Sequence, residues 1–191
     1  QSTAVAQILN HPTKAEISKI SAVIVDSVHA PHFRNSLREL SSHGVHDLIT
    51  TAHRFKSELT GAVRAELAIA LFDAARQVID RGETSPTAFS VLSDASGCLA
   101  DLSSVSGINL FPAVAEARRF TKQLLEERPD NIMLIEAFAL TTMAFVNESP
   151  GRSDLIEELT QACNAWEVIS QREPSIRTDS WHQFALLQLG T

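Results

Sequence analysis

Apolar residues recur along this chain with a period near that of the α-helix, and this pattern leaves few folds open. Leu59, Val63, Leu67, Leu71, Ala74 and Val78 are spaced 4, 4, 4, 3 and 4 apart, which places all six on one helical face. Glu58, Arg64, Glu66, Asp73 and Arg76 fall mostly on the rest of that wheel. A second stripe runs through Leu155, Leu159, Ala162, Trp166 and Ile169. The 15 residues from Ile132 to Val146 are apolar nearly all round, too few to span a bilayer, so a central buried helix is expected there. Strand-type alternation is nowhere sustained. Ala22 to Val25 reads as a strand alone, but it lies within the helical pattern Ile17, Ile20, Ile24, Val28.

Helix-boundary residues agree with the stripes. Thr13-x-x-Glu16 has the form of a capping box. Thr84-Ser85-Pro86 offers a cap and then a proline at the first helical position, where a missing N–H costs nothing. Breaks fall at Ser106-Gly107, at Leu110-Phe111-Pro112, at Arg128-Pro129-Asp130-Asn131 and at Ser149-Pro150-Gly151. The spacing predicts helices over 13–28, 31–42, 45–56, 58–81, 86–103, 111–127, 131–147, 152–172 and 178–189. No linker or low-complexity tract interrupts them, so residues 1–191 are expected to form one all-α domain. With 44% hydrophobic and 20% charged residues the composition is globular, and it excludes a disordered tail or a disulfide-dense miniprotein. The start at Gln1-Ser2-Thr3, without methionine, suggests an excised or processed piece.

Pro86, Pro129 and Pro174 are 43 and 45 residues apart, and each follows a long amphipathic segment. Twelve residues before each stands an alanine: Ala74, Ala117 and Ala162. Alanine there lets two helix backbones approach closely. Candidate units are 44–86, 87–129 and 130–174. In this the chain resembles the α-helical repeat proteins of the armadillo, HEAT and tetratricopeptide kinds, over residues 58–189. Ala162, Trp166 and Pro174 match the second half of the tetratricopeptide pattern, whereas the other two copies do not. A period near 44 lies closer to the armadillo and HEAT range. The resemblance implies a right-handed stack of antiparallel helix pairs with a concave binding face. An irregular helical bundle is the alternative.

Residues able to carry chemistry are few. Cys98 and Cys163 lie in no CxxC pair and read as reduced, helix-packed thiols, as in the cytoplasm. Five of the seven histidines (His29, His32, His43, His46 and His53) crowd one stretch. His46-Asp47 resembles the doublet of HD-domain phosphohydrolases, all-helical enzymes that hold metal ions with histidines and aspartates. That resemblance implies a metal-dependent hydrolase with His29 or His32 as a first ligand, then His46 and Asp47, and a distant aspartate from Asp73, Asp80 or Asp94. The spacing upstream is short, and the context VHDLIT lacks the usual small residue after the doublet. No phosphate-binding glycine loop and no nucleophile elbow occur, and no cofactor is implied.

Charge is uneven. From Pro31 to Arg64 five basic residues face three acidic ones, whereas from Glu126 to Glu158 eight acids face two arginines. The net charge of −7 argues against nucleic acid as partner, and no membrane-spanning run exists. The primary expectation is a protein- or peptide-binding scaffold without catalytic activity. Glu126, Glu127, Asp130, Glu157 and Glu158 would meet a basic partner. Arg118, Arg119 and Lys122 border them, placed to pair along the helix. The apolar segment Trp181 to Leu187 would complete the core or mediate self-association.

Overall fold

The computed structural model describes residues 32–55, 59–103, 109–149 and 155–173, with residue 183. Seven helices follow one another: α1 (Phe33–Arg38), α2 (Ser42–Phe55), α3 (Gly61–Asp80), α4 (Pro86–Ser103), α5 (Phe111–Glu127), α6 (Ile132–Asn147) and α7 (Ile156–Arg172). No strand occurs among the described residues, and the chain is all-α. The expected helices at 13–28 and 178–189 lie outside the described residues.

The helix boundaries have local causes. Thr60 precedes α3 with extended backbone, and its hydroxyl accepts from Val63 N–H. Ser85 caps α4 by accepting from Ala88 N–H at 3.2 Å. The Asn131 side chain accepts from both Met133 and Leu134 N–H at the start of α6. The end of α3 is a Schellman turn: Gly82 N–H donates to Ile79 C=O and Glu83 N–H to Val78 C=O. Gly82 takes φ +90°, a left-handed conformation that penalises any Cβ.

Between α1 and α2 the sequence reading needs correction. Helix was expected through residue 42 and again from 45, but α1 stops at Arg38 and α2 begins at Ser42. The carbonyls of Arg38 and Leu40, freed by this break, accept hydrogen bonds from the Arg81 guanidinium at the far end of α3. A long-range donor therefore stabilises the break.

α3 and α4 are joined by five residues, α5 and α6 by four, so each pair forms a tight helical hairpin. The most extensive packing is α4 on α6; α6 also carries α5 and α7, while α2 touches α3 and α4. α6 is thus central, as its all-round apolar sequence predicts, and eleven of its residues are buried. Ala88, Ala95, Ser96 and Ala100 on α4 and Ala137, Ala139 and Ala144 on α6 are all buried. Small side chains of this kind let neighbouring helix axes come close. Both predicted stripes face inward, and the alanine column Ala74, Ala117, Ala162 is 0–1% exposed. One apolar cluster runs from Leu37 to Ile169.

Five of the polar contacts between elements join residues roughly one hairpin apart. Ser42–Glu83, Arg76–Glu116, Ser93–Glu136, Arg118–Glu158 and Arg172–Asp130 have separations of 41, 40, 43, 40 and 42 residues. The proline spacing in the sequence lies in the same range. Deep in the α5–α6 seam the Thr121 and Thr141 hydroxyls meet at 2.8 Å, both fully buried.

Candidate functional site

α5, α6 and α7 frame an open groove of about 500 Å³. Lys122, Leu125 and Glu126 of α5 line it at helical spacing, followed by Pro129 at the turn. Gln161, Asn164, Ala165 and Val168 of α7 form the facing wall at positions i, i+3, i+4 and i+7. Ile135 and Phe138 of α6 make an apolar floor. The volume is in the range of sites that hold a small ligand or a few anchoring side chains, about 300–1,000 Å³. The floor is held rigidly from within. The Arg118 guanidinium lies over Phe138 and Phe145, 5.9 and 5.3 Å from the ring centroids, and its Nη2 sits 3.4 Å from Glu158.

The five acidic residues expected to meet a partner are not equivalent. Glu126 lines the groove, and Glu127 beside it is exposed. Glu157 is exposed and accepts from Gln161 Nε2 at 3.2 Å, on the groove's α7 side. Glu158 is half-buried against Arg118, and Asp130 is 3.8 Å from Arg172, whose Nη1 also donates to the Asp130 carbonyl. Arg118 reaches across to another helix and does not pair along its own. Among the described residues Glu126, Glu127 and Glu157 form no ion pair, so their charge is available to a partner. Lys122 adds the opposite sign at one point on the wall.

The histidine-rich stretch is divided by the fold. His46 Nδ1 on α2 stands 3.9 Å from Asp94 on α4, and His53 Nε2, two turns on along the same face, stands 3.6 Å from Cys98 Sγ. Asp47, next to His46, is exposed. Asp73 lies elsewhere, in a cavity with Arg76 and Glu116 between α3 and α5. His29 is outside the described residues. Among the described residues no three of His, Cys, Asp and Glu converge where a metal ion could sit. Neither cysteine is in a disulfide. The Cys98–His53 contact escaped the sequence reading because its residues are 45 apart on different helices.

The acidity of Glu83 is tuned by its neighbours. Its carboxylate accepts from Ser42 Oγ at 2.6 Å and from Ser85 Oγ at 3.1 Å. These bonds, that from Ser42 foremost, hold it below the ordinary carboxyl value. Its place in the α3–α4 turn, bonded to the start of α2, makes that role structural. No helix among the described residues is long and apolar enough to cross a membrane.

No protein-family model, curated protein or solved structure matches the chain.

Proposed function

We propose that this protein is a stacked-helix binding module that seats an apolar, positively charged segment of another protein in the α5–α6–α7 groove. The groove itself carries the reading: an apolar floor of Ile135 and Phe138 lies between two helical walls, with Glu126 on the α5 wall and Glu157 bonded to Gln161 of the α7 wall. Anchor residues of a partner, such as leucines at i and i+4, would bury against the floor. Lysine or arginine beside them would meet Glu126, Glu127 and Glu157. The hairpin-length separations of the inter-helix contacts support a repeating stack, an architecture whose use is to present a surface without a reactive centre. The acidic composition from Glu126 to Glu158 supports the sign of the partner's charge.

Fluorescence anisotropy with a labelled amphipathic peptide of leucine anchors and lysine flanks tests this. Binding in the micromolar range, about 1–100 μM, is expected, weakening as salt rises. Ala165→Arg, which projects a long side chain into the groove, should abolish it, and a peptide with glutamate flanks should not bind. Equal affinity for the lysine- and glutamate-flanked peptides, or binding unaffected by Ala165→Arg, refutes the proposal.

A further inference from the structure

Away from the groove, where α2 and α4 lie against each other, a thiol and an imidazole meet at the mouth of a small cavity. Cys98 Sγ and His53 Nε2 are 3.6 Å apart. His53 stands in the last turn of α2, where the helix dipole favours a cation. The cavity holds about 40 Å³ and its walls are mostly apolar, Leu67 and Leu71 among them. Two charged groups join the pair there: Asp101, one turn beyond Cys98 on α4, and Arg64 from α3. Further along the same seam, His46 and Asp94 face each other. A thiolate is stabilised by an adjacent imidazolium and by a guanidinium, and it is the thiolate that acts as nucleophile.

We propose that Cys98 and His53 form a reactive thiol–imidazole pair, a site at which Cys98 is oxidised by hydrogen peroxide to a sulfenic acid. The cavity has room for hydrogen peroxide, since a water molecule needs about 10–15 Å³ of such volume. The Cys98 thiolate attacks one peroxide oxygen, forming the S–O bond as the O–O bond breaks. The departing oxygen leaves with the bonding pair and takes the proton from His53 Nε2, giving water and neutral imidazole. Sulfur loses two electrons and the peroxide gains them.

The chain contains its own control. Cys163 on α7 is buried, and desolvation pushes its thiol above the ordinary value, so it should be inert. Treat the whole protein with one equivalent of hydrogen peroxide, trap sulfenic acid with dimedone, and map the adduct by peptide mass. In parallel, measure iodoacetamide alkylation of each cysteine between pH 5.5 and 9. Dimedone on Cys98 alone is expected, with Cys98 alkylated at pH 6.5 at least about tenfold faster than Cys163. His53→Gln should cut that Cys98 rate about tenfold at pH 6.5 and little at pH 9, and His53→Lys should restore part of it. Circular dichroism confirms that both variants fold. A Cys98 rate at pH 6.5 equal to that of Cys163, no dimedone adduct, or a His53→Gln profile identical to wild type overturns the proposal.

Discussion

Arg118 ties three helices together, and replacing it alone or with Glu158 separates the cost of a stranded charge from the loss of ring contacts. Its side chain is 16% exposed, pairs with the 24%-exposed Glu158, and stacks on two phenylalanines. Arg118 Nε and Glu158 Oε2 are both buried without a hydrogen-bond partner, so the pair is incompletely satisfied. Arg118→Met keeps the aliphatic stem but strands the Glu158 carboxylate and removes the ring contacts. About 1–2 kcal/mol is expected for the stranded charge and about 1 for the rings, or roughly 2–3 in total. Glu158→Leu strands the guanidinium instead and should cost about 1–2 kcal/mol. The double variant strands neither and should lose only about 1 kcal/mol, far less than the sum, because an imperfect buried pair gains little over apolar packing. Urea unfolding followed by circular dichroism at 222 nm measures all three against wild type. Melting shifts of about 2–4 °C per kcal/mol should agree. A double variant as unstable as the two singles added together would refute this account of Arg118.

Other features allow shorter predictions. Trp166 is fully buried at the centre of α7, so Trp166→Ala should cost about 3–5 kcal/mol in the same urea assay. Gly82→Ala should cost about 1 kcal/mol from backbone strain alone, since φ is +90° and a Cβ there meets nothing within 4 Å. The lowered acidity constant of Glu83 implies stability that is fully present above the ordinary carboxyl value of 4.5 and is lost as pH falls through the depressed folded value. Thermal melts from pH 7 to 3 should therefore fall less steeply in acid for Glu83→Gln than for wild type, from a lower starting point at neutral pH.

Much of the architecture is written locally in the sequence. The stripe from Leu59 to Val78 and the one from Leu155 to Ile169 announce which faces are buried, because helical spacing and burial are the same fact seen twice. Pro86 and Pro112 mark helix starts through backbone chemistry that needs no partner. The break at Glu39–Ser41 was not legible, since it depends on Arg81, more than forty residues away, capturing two carbonyls. The start of α2 at Ser42 was missed for a related reason: Ser42 gains its bond to Glu83 only once α3 has folded. The site follows the same rule. The acidic bias from Glu126 to Glu158 is visible in the sequence, but the pairing of Glu158 with Arg118 and of Asp130 with Arg172 depends on packing across helices. The groove, too, exists only after Phe138 and Ala165 come from separate helices to share one surface.

The groove is tested most directly by nuclear magnetic resonance titration of the ¹⁵N-labelled protein with the leucine- and lysine-bearing peptide. Shift changes should concentrate on Leu125, Glu126, Ile135, Phe138, Ala165 and Val168, leaving α2 and α3 silent, and should vanish in Ala165→Arg. Changes centred on any other helices, or none up to millimolar peptide, would contradict the assignment of this groove as the binding surface.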